Sequence, residues 1–195
     1  MNWQDKFLNI TWDNFRKQAF DLSLQIRKSK KQFDLIVAIA RGGLALSQLL
    51  SDNLTLPIAS FTIQSYKDLK QETLPHIVYG LNAKLKGKKI LLVDDVCDTG
   101  KTFLRGISYL EELGAKRTHI TTCSIHYKPH AKYIPNFYIG TSTSWIIYPY
   151  EVRETIQQLV SIWKKAGVSY HEMKQRFQSF QFSQTQIDLY LPNII

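Results

Sequence analysis

Cysteine is scarce. Cys97 and Cys123 are the only two in 195 residues, too few for the disulfide framework of a small secreted fold. Long hydrophobic runs are missing as well. The longest strongly apolar stretch, Leu35 to Ala40, is far too short to span a bilayer. Met1-Asn2-Trp3-Gln4-Asp5 lacks the basic-then-apolar order of a secretory signal. No internal repeat or linker interrupts the chain, and 44 % apolar with 21 % charged residues excludes intrinsic disorder. Acidic residues are in the minority: 16 Asp+Glu stand against 25 Lys+Arg, a net charge of +9. What remains is a soluble, cytoplasmic, single-domain protein, long enough to bury roughly 70 % of its unfolded surface. Its charge suits an anionic partner: nucleic acid, nucleotide or phosphate. The basic clusters Arg27–Lys31 and Lys84–Lys89 sit between apolar-periodic segments without interleaved aromatics. They read as solvated turns rather than a nucleic-acid surface.

Thr11 is a good N-cap, and Trp12, Phe15, Ala19, Leu22 and Ile26 recur at helical spacing after it. This predicts an amphipathic helix over about 12–29 with its aromatics in the core. Residues 34–40 form a short continuous apolar run, as expected of a strand buried on both faces of a parallel sheet. Helical spacing returns over 44–50, and 58–63 reads as the next strand. The polar stretch 64–75 is long enough for a lid. Strands follow at 76–81 and 90–93. A helix over 101–113 places Leu104, Ile107, Leu110 and Leu113 on one face, with Gly114 at its C-cap. Residues 118–127 read as one strand, 137–140 and 145–148 as short strand candidates, and 151–166 as a helix stopped by Gly167. The stretch 168–195 reads as a small helix and an irregular tail. Alternating strands and helices define an α/β fold with an open, mostly parallel sheet flanked by helices.

The most specific segment is Ile90-Leu-Leu-Val-Asp-Asp-Val-Cys-Asp-Thr-Gly-Lys-Thr102. A buried strand ends in two adjacent carboxylates, and a turn then opens a helix. Open α/β sheets bind ligands at the C-terminal ends of their strands. A helix N-terminus offers free N–H groups and the positive dipole end to a phosphate. Gly100 permits close backbone approach, and Thr99 and Thr102 add hydroxyl donors. Asp94 and Asp95 can accept from the two hydroxyls of a ribose or face a metal ion. A loop that holds phosphate at one end and a diol at the other suits a ribose 5-phosphate. A nucleotide P-loop is the competitor, but it needs glycine where Asp95 stands. A plain acidic turn with a helix cap accounts for one aspartate, not for Asp94, Asp95 and Asp98 together.

This segment resembles the phosphoribosyl-pyrophosphate (PRPP) motif of the type I phosphoribosyltransferases. Val37-Ala-Ile-Ala-Arg-Gly-Gly-Leu44 looks like that family's pyrophosphate loop, with Arg41 and Gly42 toward the pyrophosphate. Gln64-Ser65-Tyr66-Lys67 lies where the family keeps its mobile catalytic loop. His126-Tyr127-Lys128-Pro129 and Trp145-Ile-Ile-Tyr-Pro-Tyr-Glu151 look like the base-binding hood of the purine branch. The resemblance implies a type I phosphoribosyltransferase fold over 1–195, with a core at about 30–140 and a hood from about 127–151 and the chain ends. It also implies a cis peptide at Ala40–Arg41. PRPP would be held by Asp94, Asp95, Asp98, Thr99, Gly100, Lys101, Thr102, Arg41, Gly42 and Ser65. Asp98, Lys67 and Tyr66 would be catalytic, Asp98 as general base. Lys128, Trp145, Ile146 and Ile147 would bind the base. Asp94, Asp95 and Glu151 would face Mg²⁺.

Each assignment has a plainer reading. Arg41-Gly42-Gly43 can be a strand-to-helix turn, Trp145 core filler, and Lys128 an exposed lysine before proline. Glu151 can be a first-turn acid on a helix dipole. His126 and His130 are spaced like metal ligands but lack a nearby third. Cys97 has no partner that would make it a nucleophile. The implied activity is transfer of ribose 5-phosphate from PRPP to N9 of a 6-oxopurine in purine salvage, by a homodimer or homotetramer with no membrane or nucleic-acid partner. A PRPP-sensing regulator on the same fold is the alternative.

Overall fold

The computed structural model describes residues 3–64, 67–68, 71–72 and 75–191, with 67–68 and 71–72 described by backbone alone. In chain order, β1 (Phe7–Asn9) leads to α1 (Trp12–Lys28), β2 (Leu35–Ala40), α2 (Gly43–Leu54) and β3 (Ile58–Gln64). The strand pair β4 (Lys67–Asp68) and β5 (Gln71–Glu72), β6 (His76–Tyr79), β7 (Ile90–Val93), β8 (Val96–Cys97) and α3 (Lys101–Glu112) follow. Then come β9 (Ile120–Cys123), β10 (His126–Tyr127), β11 (Gly140–Thr141) and β12 (Trp145–Ile147). The helices α4 (Val152–Lys165), α5 (Tyr170–Ser179) and α6 (Gln184–Tyr190) close the described chain. Two compact units divide it: residues 16–143, and the two chain ends up to 15 and from 144.

The larger unit is built on a five-stranded sheet in the order β6-β3-β2-β7-β9. Four strands are parallel and β6 is an antiparallel edge. The continuous apolar run of the central strands has a simple cause. Ile90, Leu91, Leu92 and Val93 are all fully buried, as both faces of a parallel sheet require. Val37, Ile39, Phe61 and Leu92 pack with Phe103, Ile107 and Leu110 of α3 in one core. The helix buries Phe103 and Gly106 rather than Leu104 and Leu113, which are 39 % and 36 % exposed. The apolar stripe is thus rotated from the predicted one.

Thr11 caps α1 as expected: the Asn14 N–H donates to its Oγ1 at 3.2 Å. Phe15, Ala19, Leu22 and Ile26 are buried, but Trp12 and Phe20 are more than half exposed. The expectation of core for every aromatic of this helix is therefore corrected. The single strand predicted over 118–127 is also corrected. It starts with a 3₁₀ turn at Arg117–His119 and breaks between β9 and β10. The cause is its partner. β9 pairs with β7, which stops at Asp94, and β10 pairs instead with β8 across Val96↔His126 and Cys97↔Tyr127.

In the chain-end unit, β1 and β12 pair in parallel, Phe7 opposite Trp145 and Asn9 opposite Ile147. Helices α4 to α6 bury Ile156, Leu159, Trp163, Met173, Phe177 and Ile187 in a second core. Where a small helix and an irregular tail were expected, the described residues form two helices. Ser169 caps α5 by accepting from the Glu172 N–H. Ser183 and Gln186 form a capping box on α6. No helix of the described residues is long and apolar enough to cross a membrane.

Candidate active site

The larger unit brings the charged motif residues to the C-terminal ends of two neighbouring strands, β2 and β7. Ala38 lies opposite Val93, so the chain leaves both strands side by side. On β2 the exit is Ala40–Arg41, whose peptide bond is cis, followed by Gly42. On β7 it is Asp94-Asp95, only 8 % and 6 % exposed. The two exits touch: a Cβ placed on Gly42 would lie 2.6 Å from Asp95 Oδ1. Only glycine lets the Arg41 loop come this close to the carboxylate.

Burying two adjacent carboxylates is costly unless hydrogen bonds satisfy them. The backbone supplies some. The Val96 N–H donates to Asp95 Oδ1 at 2.7 Å and the Asp95 N–H to Asp94 Oδ1 at 3.1 Å. Helix α3 begins three residues beyond Asp98. Its N-cap is Gly100, left-handed at φ +85° and without a side-chain cap. A Cβ there would meet Tyr133 Cβ at 2.6 Å and the Tyr133 N at 2.8 Å. Thr99 Oγ1 accepts from the Lys101 N–H at 3.4 Å, and Thr102 stands in the first turn. The arrangement joins a helix N-terminus, an arginine-glycine loop and a buried acidic pair, a set able to hold an anion and a diol together.

Lys128 follows β10 and is 8 % exposed, which removes the exposed-lysine reading. Burial lowers its pKa from the ordinary lysine range, while the charge of Asp98 acts in the opposite direction. His126 is buried too, and burial, then the charge of Lys128, bring it down to about 4, so it is neutral near pH 7. Burial, then Asp94 and Asp98, push the Cys97 thiol up to about 12. It is a thiol at neutral pH, donating to the Tyr133 carbonyl at 3.1 Å, and not a nucleophile. Sequence reasoning saw His130 only as a spacing partner of His126. In the structure its Nε2 lies 3.2 Å from Asp98 Oδ1. No sequence periodicity would have revealed that contact, because it depends on β8 pairing with β10.

Trp145, Ile146, Ile147 and Glu151 belong to the chain-end unit. Trp145 is 42 % exposed, so it is not core filler, whereas Ile146 and Ile147 are buried. The Ile147 carbonyl accepts from the Ile10 N–H at 2.9 Å. Glu151 occupies the N-cap position of α4, with no side-chain capping bond. Ser65 and Tyr66 lie outside the described residues, as does the side chain of Lys67. Among the described residues no group of three or more His, Cys, Asp or Glu could hold a metal ion. Asp94 and Asp95 place two adjacent, buried carboxylates at the end of β7. That fits Mg²⁺, which binds through one or two carboxylates plus substrate phosphates rather than in an all-protein cage.

The parallel sheet thus carries the acidic pair and a glycine-capped helix start at its strand ends. Residues 11–155 match the sequence model of the phosphoribosyl transferase domain, and the chain belongs to that family. The same fold occurs in the purine phosphoribosyltransferase of Pyrococcus horikoshii, 32 % identical, with a TM-score of 0.67 over 74 % of this chain and 94 % of that one. A hypothetical protein of Neisseria gonorrhoeae with bound ppGpp is 25 % identical, with a TM-score of 0.64 over 75 % and 89 %. The Helicobacter pylori xanthine-guanine-hypoxanthine phosphoribosyltransferase shares the fold at 23 % identity and a TM-score of 0.64, over 80 % and 99 %.

Proposed function

We propose that the protein transfers the 5-phosphoribosyl group of PRPP to N9 of a 6-oxopurine, releasing pyrophosphate, as a step of purine salvage. The observation that carries this reading is the buried Asp94-Asp95 pair between the Arg41-Gly42 loop and the glycine-capped start of α3. The backbone from Thr99 to Thr102, with the α3 dipole, holds the 5-phosphate. Lys101 adds a cation there. Asp94 and Asp95 accept from the ribose hydroxyls. Arg41, with the backbone at Gly42, binds the pyrophosphate.

In the reaction the bond from C1 of the ribose to the pyrophosphate oxygen breaks, and its electron pair leaves with pyrophosphate. N9 of the purine forms the new bond to C1, and the proton of the imidazole ring passes to the Asp98 carboxylate. The chain contributes positioning and charge, since C1 develops oxocarbenium character. Asp94 and Asp95 would hold Mg²⁺, which would supply charge neutralisation for the pyrophosphate. Lys128 donates to the 6-oxo group of the base, which favours oxopurines over adenine because an ammonium only donates.

The test is pyrophosphate release from PRPP and Mg²⁺ with guanine, hypoxanthine, xanthine, adenine, orotate and uracil. Release with one or more 6-oxopurines, lost in the Asp94→Ala/Asp95→Ala variant, is the expected result. PRPP binding without release on any base would favour a sensor over an enzyme.

A further inference from the structure

The segment after β10 is fastened along the loop that precedes α3. The Lys128 N–H donates to the Cys97 carbonyl at 2.9 Å and the Lys132 N–H to the Thr99 carbonyl at 3.1 Å. Cys97 Sγ donates to the Tyr133 carbonyl at 3.1 Å. Tyr133, through its Cβ at 2.6 Å and its N at 2.8 Å, fills the space that any side chain at Gly100 would need. Residues 128–133 thus run beside residues 97–100 with attachments near both ends. His130 sits in the middle of this strap, where its Nε2 meets Asp98 Oδ1 at 3.2 Å.

Both side chains are 64 % exposed, so the contact adds little to folding stability. Its effect is on the carboxylate. The strap already fixes the backbone on both sides, which limits the freedom the two side chains lose in meeting. Around Asp98 stand Lys128, Cys97 and His130. Lys128 acts on it as a charge. An imidazole can donate a hydrogen bond without bearing a full charge. It therefore fixes a carboxylate with less loss of basicity than a lysine or arginine would cause.

We propose that His130 is a positioning residue for Asp98: its Nε2–H donates to Oδ1 and leaves Oδ2 to take the proton from the purine. The inference rests on the proposed transferase reading with Asp98 as base. The experiment is steady-state kinetics of the full chain, using PRPP and whichever 6-oxopurine the wild type turns over. His130→Ala should lower kcat about tenfold and leave the KM for PRPP within about twofold. His130→Gln places an amide N–H close to the same point and should restore most of kcat. In an Asp98→Asn background, His130→Ala should cause no further loss, since the two act as one unit. Wild-type kcat in His130→Ala overturns the proposal. So does equal loss in the Ala and Gln variants, or an undiminished tenfold loss on top of Asp98→Asn. A wild type that turns over no base removes the transferase reading itself, and the role of His130 with it.

Discussion

The unit of residues 16–143 buries Asp94, Asp95, His126 and Lys128. In the chain-end unit, Thr155 is the one buried polar residue among those described, beside Trp163, Met173, Phe177, Phe180 and Phe182. The same chain thus uses two kinds of interior. Buried charge is costly and is retained where chemistry or binding uses it. Buried aromatics stabilise through area and edge-to-face contacts, such as Trp3 on Phe180 at 5.7 Å. The contrast agrees with the proposed site, whose buried charged residues all lie in the larger unit. It also shows why packing defects and site defects should separate in experiments.

The largest expected effect is on packing. Phe177 is fully buried and its ring lies 5.0 Å from that of Trp163. Phe177→Ala should cost about 3–5 kcal/mol of stability, read by denaturant unfolding, with PRPP affinity kept within about threefold. A collapse of PRPP affinity at a temperature where the variant is folded would break the contrast.

The opposite pattern is expected at Gly100. An alanine there faces Tyr133 atoms at 2.6 and 2.8 Å with φ at +85°. Gly100→Ala should cost about 1–3 kcal/mol in stability, yet lower PRPP affinity tenfold or more in a binding titration. Unchanged affinity would remove this loop from the phosphate site.

The smallest effect is a pH dependence set by His126 in the larger unit. His126 takes a proton near 6.5 when unfolded but only at about 4 when folded. Below pH 6.5 the unfolded state therefore binds more protons, and stability falls as pH drops from 6.5 toward 4. His126→Gln should flatten that part of the slope in urea midpoints taken at pH 7 and 5. An unchanged slope would assign it to other groups.

The motif residues were legible because they are local in sequence. Ile90 to Thr102 shows a strand, an acidic pair and a helix start within one stretch. The α/β alternation and the parallel sheet followed from the same kind of signal. What stayed hidden depends on distant partners. The break between β9 and β10 comes from where β7 stops, and the His130–Asp98 contact from the pairing of β8 with β10. Helix α5 buries only Met173 and Phe177, so its apolar period is weak. The Ser183 capping box was the readable sign that the tail is helical. Lys128 could not be told from a surface lysine by sequence, because its burial is a property of the fold.

The most direct test of Asp98 as the base compares the wild type with Asp98→Asn, measuring PRPP affinity and the rate of the chemical step in a single turnover. The expected result is a rate lower by about 10²–10⁴ with PRPP affinity within about threefold. An unchanged rate, or a loss confined to PRPP binding, would contradict the assignment of Asp98 as the base.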